Sequence, residues 1–168
     1  MAREQNIQAA LNNFGRYVVR ESKKNLRNNT ASGSLARSIS FESSVAKNSF
    51  SLNIDMNDYG EYLDQGVSGT QKKYDTPYKY TNKMPPPSAF SQWVVRKGLD
   101  GVRDKKTGRF IKRKSLQFAI AKSIQKKGIK PTKFFTRPFN LAFDKLPKEI
   151  VIAFELNKAD FKAFSKKK

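Results

Sequence analysis

The stretch RSISFESSVAKNSFSLNIDM, residues 37–56, carries the strongest structural pattern in the chain. Its apolar residues alternate with polar ones on both sides of a short AKNS segment; they are Ile39, Phe41, Val45, Phe50, Leu52, Ile54 and Met56. A period of two gives each strand one apolar face and one polar face. The intervening segment is short enough for an antiparallel hairpin. The sequence therefore predicts a small antiparallel sheet that needs a cover on its apolar face.

Residues 3–27 provide the natural cover for this sheet. Apolar side chains recur there at spacings of three and four residues: Ile7, Ala10, Leu11, Phe14, Tyr17 and Val18. This spacing indicates an amphipathic helix, which should end near the loop-forming sequence NNTASGS. We therefore expect an α+β fold in which an N-terminal amphipathic helix packs on a small antiparallel sheet.

Short helices are expected in the second half of the chain. SAFSQWVVRKG, residues 88–98, predicts one that Ser88 caps and Gly98 ends, with Phe90, Trp93 and Val94 facing inward. Residues 115–128 predict a second, capped by Ser115 and followed by Gly128. The side chains expected to face inward from it are Leu116, Ala119, Ile120 and Ile124.

A C-terminal helix capped by Thr136 is expected to complete the fold. Its apolar residues are Phe139, Ala142, Phe143, Leu146, Ile150 and Phe154. Pro147 should kink this helix, because proline lacks the backbone donor and clashes with the preceding turn. We expect residues 1–168 to form a single domain with a frayed tail at residues 165–168.

The composition excludes several kinds of chemistry. The 168 residues include no cysteine and no histidine, which removes thiolate and imidazole ligands, disulfides and serine–histidine triads. The 34 lysines and arginines against 14 acids give a net charge of +20, which suggests nucleic acid or an acidic surface as partner. No apolar run approaches the roughly 20 residues of a membrane span, and no secretory signal is evident. We expect assembly in a cytoplasm, without a cofactor.

The segment NDYGEYLDQGVSG, residues 57–69, combines three acids with two tyrosines and two glycines. Asp58, Glu61 and Asp64 could hold a hard cation or act as a carboxylate pair, but no second acidic cluster accompanies them. The favoured interpretation is structural. Tyr59, Tyr62 and Leu63 would pack inward from one turn of helix, Gly66 would end that turn, and the acids would stay in water or meet basic groups of a neighbour.

Residues 66–87 are predicted to form a long loop or arm. Gly66 and Gly69 are too close together, and Lys72 follows too late, for a phosphate-binding loop. Tyr74, Tyr78 and Tyr80 alternate with lysines, among them Lys72 and Lys73. Such a segment can anchor on a neighbouring subunit, or stack nucleobases while its lysines contact phosphates, and we favour the subunit contact. Lys72 and Lys73 are expected to contact a polyanion or an acidic partner.

Residues 100–114 resemble an exposed hairpin with DKKTG as its turn and Gly108 at positive φ. The hairpin is strongly basic, and its cations are Arg103, Lys105, Lys106, Arg109, Lys112, Arg113 and Lys114. It is the best candidate for contact with a polyanion or an acidic partner, although a solvated turn is the simpler alternative.

The order of these segments resembles the tail-completion and head–tail joining proteins of tailed bacteriophages. SGSLARSI at residues 32–39 is similar to that family's entry into a hairpin, and Tyr59, Tyr62, Leu63 and Gly66 match its Y-x-x-Y-L-x-x-G motif. A proline-rich segment and an aromatic–proline helix start follow in the same order. The chain departs from the family pattern in its long lysine- and tyrosine-rich loop, in its basic hairpin, and in having serine where a threonine often opens the strand motif.

This resemblance implies a virion structural subunit without catalysis or cofactors. Copies would form a ring where the portal meets the tail, or at the end of the tail tube, using Tyr59, Tyr62, Gly66, Gly69, Tyr74, Tyr78 and Tyr80 as interface residues. Portal and tail-tube proteins would be its partners, and DNA in the ring lumen a possible contact. The alternative is a nucleic-acid-binding protein that uses a basic, tyrosine-containing surface.

Overall fold

The structure is a computed structural model that describes residues 2–27, 33–46, 49–99 and 101–146. The described residues fall into two compact units, whereas the sequence suggested a single domain. Residues up to Gly60 and from Lys133 onward belong to unit 1, and Glu61–Thr132 form unit 2.

The predicted hairpin lies in unit 1. Strands β1 (Ser40–Ala46) and β2 (Ser49–Asp55) pair antiparallel, with Phe41 opposite Ile54 and Val45 opposite Phe50. Half-buried and exposed residues alternate strictly along both strands, so the period of two in the sequence is the period of burial. The predicted hairpin is confirmed.

Helix α1 (Ala2–Leu26) packs against the apolar face of this hairpin. Ile7 and Leu11 form one cluster with Val45 and Phe50. A second cluster, nearer the C-terminal end of α1, is built on Phe14, Val18, Phe139, Ala142 and Leu146, with Leu52 and Ile54 against it. The predicted α+β architecture, a helix covering a small antiparallel sheet, is therefore confirmed.

Gly15 and three hydrogen-bonded polar side chains, those of Gln8, Asn12 and Ser43, determine how closely the hairpin packs on α1. A Cβ built on Gly15 would lie 2.6 Å from Cε2 and 2.7 Å from Cγ of Phe41, so the ring occupies the space that any larger residue would need. Ser43 falls on the apolar side of β1, and its hydroxyl donates to Asn12 Oδ1 at 2.6 Å. Gln8 Nε2 donates to the same hydroxyl at 2.7 Å, which satisfies this polar group against the helix.

The entry to the hairpin differs from the prediction. Ser34–Ser38 forms a short helix, α2, and the strand begins at Ser40 rather than at Arg37. Gly33 precedes α2 with φ of 65°, a conformation that glycine adopts without steric penalty. The alternation from Ile39 onward does not reveal the helical turn before it, because one turn is too short to show a period.

The C-terminal helix is shorter than expected within the described residues. Helix α6 (Thr136–Phe143) packs on α1, and the rings of Phe14 and Phe139 meet edge to face at 5.4 Å. Phe135 occupies the N-cap position without a side-chain capping bond, and Thr136 is the first residue of the helix, so the predicted cap position is wrong by one residue. The predicted kink at Pro147, the residues Ile150 and Phe154, and the tail at 165–168 lie outside the described residues.

Unit 2 is built from short helices and long connections. Helix α3 (Tyr59–Gln65) leads into it and is followed by a 3-10 helix (Pro87–Phe90), α4 (Ser91–Arg96) and α5 (Arg113–Lys127). The 3-10 helix and α4 pack on α5, with Val94 and Ala121 buried.

Several details of these helices differ from the predictions. Ser88 lies inside the 3-10 helix and Ser115 lies inside α5, and neither helix has a side-chain cap. Gln117 and Ala121 are the buried residues of α5, whereas Ala119 is exposed. Apolar residues occur on several sides of this helix, so its sequence period does not select the buried face.

Candidate assembly surface and basic hairpin

The tyrosines of α3 face outward rather than inward. Tyr59 and Tyr62 are each 45% exposed, whereas Asp64 is buried. The expectation that the tyrosines pack inward and the acids stay in water is therefore wrong for these three residues. Gly60, which belongs to unit 1, faces inward, since a Cβ there would lie 2.8 Å from Met56 Sδ. An inward-facing glycine leaves the large neighbouring side chains pointing to solvent.

The acids of this segment do not form a metal site within the described structure. Asp58 is exposed, Glu61 is half-buried and Asp64 is buried, so the three carboxylates occupy different environments. No group of three acidic side chains that could hold a metal ion occurs in residues 5–27, 33–46, 49–99 or 101–146.

Gly66 and Gly69 pack against the chain's own backbone. Gly66 ends α3 with φ of 79°, and a Cβ there would lie 2.7 Å from the carbonyl oxygen of Ile129. A Cβ on Gly69 would lie 2.5 Å from the backbone nitrogen of Gly128 and 2.6 Å from the carbonyl carbon of Lys126. Both glycines thus allow residues 66–82, which we call the tyrosine loop, to approach the end of α5 closely.

The tyrosine loop caps the C-terminus of α5. The backbone N–H of Thr70 donates to the carbonyl of Gln125 at 2.9 Å, and the N–H groups of Gln71 and Lys72 donate to the carbonyl of Lys126 at 2.9 and 3.2 Å. The last carbonyls of a helix have no partner within the helix. The loop supplies these partners, so it is a folded part of unit 2 rather than an extended arm.

Ser68 holds the tyrosine loop together. Its buried hydroxyl donates to the carbonyl of Tyr74 at 3.1 Å and accepts from the Tyr74 N–H at 2.9 Å. Its backbone N–H donates to the carbonyl of Tyr78 and its carbonyl accepts from the N–H of Tyr80, both at 2.8 Å. These bonds fix the backbone positions of three of the five tyrosines that the sequence predicted as interface residues, Tyr74, Tyr78 and Tyr80.

Tyr78 lies against α3. Its ring meets that of Tyr62 edge to face at 4.6 Å, and its hydroxyl donates a hydrogen bond to the Glu61 carboxylate. That hydrogen bond, reinforced by burial and by the negative charge of Glu61, raises the pKa of Tyr78 to about 12. Burial also raises the pKa of Tyr80 above its ordinary value.

The cations of the tyrosine loop remain exposed while making local contacts. Lys73 Nζ donates to the carbonyl of Gly69 at 3.0 Å. Lys72 Nζ lies 5.5 Å from the centre of the Tyr74 ring. Tyr74 is half-buried. The tyrosine loop therefore presents exposed lysines beside an aromatic ring that is only partly accessible.

The predicted basic hairpin has a well-defined turn. The Asp104 carboxylate accepts hydrogen bonds from the N–H groups of Lys106 and Thr107 at 2.9 and 2.8 Å, and from the Thr107 hydroxyl at 3.0 Å. The bonds from Thr107, followed by that from Lys106, hold the pKa of Asp104 below its ordinary value. Gly108 adopts φ of 69°, as predicted.

An arginine and a phenylalanine pair at the base of this hairpin. Arg103 and Phe110 form an antiparallel bridge, and the guanidinium carbon of Arg103 lies 4.1 Å from the centre of the Phe110 ring. Arg103 also donates to the carbonyl of Gly108 at 3.3 Å. Phe110 nevertheless remains 63% exposed.

The hairpin continues into α5 earlier than expected. Arg113 and Lys114 belong to the first turn of α5, whereas Arg103, Lys105, Lys106, Arg109 and Lys112 precede the helix. All seven cations predicted for contact in this hairpin are exposed. In sequence, unit 2 carries 17 lysines and arginines against five acids, a net charge of +12, so it holds the larger share of the protein's net charge of +20.

The sequence interpretation missed the exposed apolar side chains of unit 2. Trp93, Val95 and Phe118 are all exposed, together with Phe110. The prediction placed Phe90, Trp93 and Val94 inward; Val94 is buried, whereas the inward placement of Trp93 is wrong. The exposure of Phe118 could have been predicted, because Phe118 was not among the residues expected to face inward from its helix.

Comparison of this chain with protein-family models, with curated proteins and with solved structures finds no match. Across the described residues, none of the helices is both long enough and apolar enough to span a membrane.

Proposed function

We propose that this protein is a structural subunit of a tailed-phage virion that assembles with copies of itself into a ring at the portal–tail junction. The order of its sequence motifs supports the proposal, because they resemble those of tail-completion and head–tail joining proteins along most of the chain. The role requires no catalysis and no cofactor. In a closed ring each copy makes two different contacts, and many modest interfaces add together.

The observation that carries the proposal is the exposure of Tyr59 and Tyr62 in the motif that the resemblance assigns to assembly. They lie three residues apart on α3, and each leaves 45% of its surface in water. Tyrosine is enriched among the residues that contribute most to protein interfaces. The rigid attachment of the tyrosine loop to α5 supports the same role, since a preorganised surface loses little entropy on binding.

Sedimentation velocity and negative-stain electron microscopy of the purified protein test this function, alone and mixed with portal and tail-tube proteins of the same phage. We expect rings, or a complex with one of these partners. Changing both Tyr59 and Tyr62 to serine should weaken association by about 30-fold or more, as for interface residues worth about 2 kcal/mol.

The matched control is Leu141→Ser, because Leu141 is also 45% exposed but lies on α6. It should leave association unchanged. A protein that stays monomeric at every concentration and binds no virion component would exclude the proposed function.

Nucleic-acid binding is a second candidate function, favoured by the net charge of +12 on unit 2. It predicts that affinity falls steeply with salt. Reversing the charges of Lys105, Lys106 and Arg109 should then weaken binding, and binding that is unaffected by these changes would exclude the hairpin as the contact.

A further inference from the structure

The basic hairpin combines a preorganised backbone with a single outward-facing aromatic ring. The N–H of Asp104 donates to the carbonyl of Arg109, and the N–H of Ile111 donates to the carbonyl of Val102, at 2.8 and 3.0 Å. The side chain of Asp104 closes the turn between these bonds. The hydrogen-bonded backbone therefore fixes the points at which the side chains of this hairpin are attached.

Phe110 is the most exposed large apolar residue in the described part of the chain, at 63%. Arg103 lies over the ring at 4.1 Å and is itself held by the carbonyl of Gly108 at 3.3 Å. An aromatic ring that carries a cation on one face keeps its other face available for stacking. Exposing this ring on a solvated turn has no evident advantage for folding, because it buries little apolar surface.

We propose that residues 102–114 bind single-stranded nucleic acid, with one base stacked on the open face of Phe110 and the neighbouring phosphates held by the hairpin's cations. This inference goes beyond the ring-forming role and does not depend on it; it specifies the substrate and contact of the second candidate function. The phosphate contacts are assigned to Lys105, Lys106, Arg109 and Lys112, all of which are exposed.

An unpaired strand fits this surface better than a duplex or an acidic protein. In a duplex the bases stack on one another, so a single ring beside the groove has no base face to contact. An acidic protein surface would use the cations but would leave Phe110 without a flat partner. Base–aromatic stacking combined with phosphate-binding lysines is the usual arrangement at sites for single strands. Asp104, the single acid in residues 101–114, is already engaged within the turn.

Fluorescence anisotropy of the full-length protein with a labelled oligothymidylate tests the proposal. The same measurement with a duplex of equal length, and with oligouridylate, distinguishes duplex from single strand and DNA from RNA. Phe110→Leu keeps apolar bulk but removes the ring, and should weaken binding of the single strand roughly 5- to 150-fold, the range expected for one stacked base. Phe110→Tyr keeps the ring and should retain binding.

Two matched controls are available within unit 2. Phe118 is 48% exposed on α5, so Phe118→Leu removes another exposed ring from a different position. The double change of Lys126 and Lys127 to glutamate, at the end of α5, alters the net charge as much as the same change at Lys105 and Lys106. Of these, only Phe110→Leu and the double change of Lys105 and Lys106 to glutamate should weaken binding strongly.

Several results would overturn the proposal. They are the absence of binding, a duplex bound as tightly as the single strand, or equal effects of the leucine variants at Phe110 and Phe118. Displacement of the oligonucleotide by polyglutamate at equal charge concentration would indicate an acidic protein as the partner instead. Ring formation is measured separately by sedimentation, so failure of the nucleic-acid contact and failure of the assembly role are distinguishable.

Discussion

Replacing Gly69 with alanine should detach the tyrosine loop from the end of α5. The added Cβ would lie 2.5 Å from the backbone nitrogen of Gly128 and 2.6 Å from the carbonyl carbon of Lys126. Both are backbone atoms, so no side-chain rotation relieves the overlap. Gly69 does not have positive φ, and the effect therefore comes from lack of space rather than from backbone strain.

The magnitude follows from the bonds that the loop makes to α5. Moving the loop away breaks the three hydrogen bonds from the N–H groups of Thr70, Gln71 and Lys72. At about 1 kcal/mol net for each hydrogen bond, the substitution should destabilise the docked loop by about 3 kcal/mol. A partial shift that keeps one of the bonds would lower this to about 2 kcal/mol.

Amide hydrogen exchange is the direct assay, because it reports the opening of this loop separately from global unfolding. A loss of about 3 kcal/mol should accelerate exchange at the Thr70, Gln71 and Lys72 amides on the order of 100-fold. Gly101→Ala is the matched control, since a Cβ at Gly101 meets no described atom within 4 Å, and exchange at these amides should not change. Exchange in Gly69→Ala within about threefold of the unaltered protein would refute the packing argument, since it corresponds to well under 1 kcal/mol.

Three further predictions concern α1 and Tyr78. Gly15→Ala should destabilise unit 1 by about 1–2 kcal/mol in urea unfolding, because overlap with Phe41 outweighs the gain in helix propensity; an increase in stability would show that the ring moves aside freely. Ser22→Ala should raise the stability by about 1 kcal/mol in the same assay, because the buried hydroxyl has no hydrogen-bond partner in the described structure, and a loss of stability would reveal a missing contact. The pKa of Tyr78 is raised from 10.0 to about 12 in the folded protein, so its stabilising contribution is complete below pH 10 and is lost as the pH rises towards 12. Glu61→Gln should bring the Tyr78 titration back towards its ordinary value, measured by tyrosinate absorbance against a Tyr78→Phe protein, and an unchanged midpoint would contradict the assigned cause.

The two candidate surfaces of unit 2 differ in how their aromatic residues are held. In the tyrosine loop, Tyr74, Tyr78 and Tyr80 are half-buried and joined by backbone bonds through Ser68. In the hairpin, Phe110 remains in water beside Arg103. The loop therefore suits a preorganised protein contact, whereas the hairpin offers an open ring for stacking. This physical difference is the reason for proposing an assembly contact for the first and a nucleic-acid contact for the second.

The sequence by itself determined the hairpin, its covering helix and several helix ends. The alternation of apolar and polar residues from Ile39 to Met56 matches the geometry of strands, and the apolar stripe of residues 3–27 matches that of a helix. The local pattern is therefore sufficient to predict these elements. Gly66, Gly98 and Gly128 all follow helices at positive φ, as their positions predicted.

Only the tertiary structure decided which faces are buried where the local pattern is ambiguous. Residues 116–121 are apolar except for Gln117 and lie on several sides of α5. The 3-10 helix and α4 pack on this helix, and its buried residues are Gln117 and Ala121. The capping of α5 by the tyrosine loop joins residues more than fifty positions apart, and no local period encodes such a contact. The Arg103–Phe110 pair likewise depends on the strand register across a turn, which the composition of a basic hairpin does not fix.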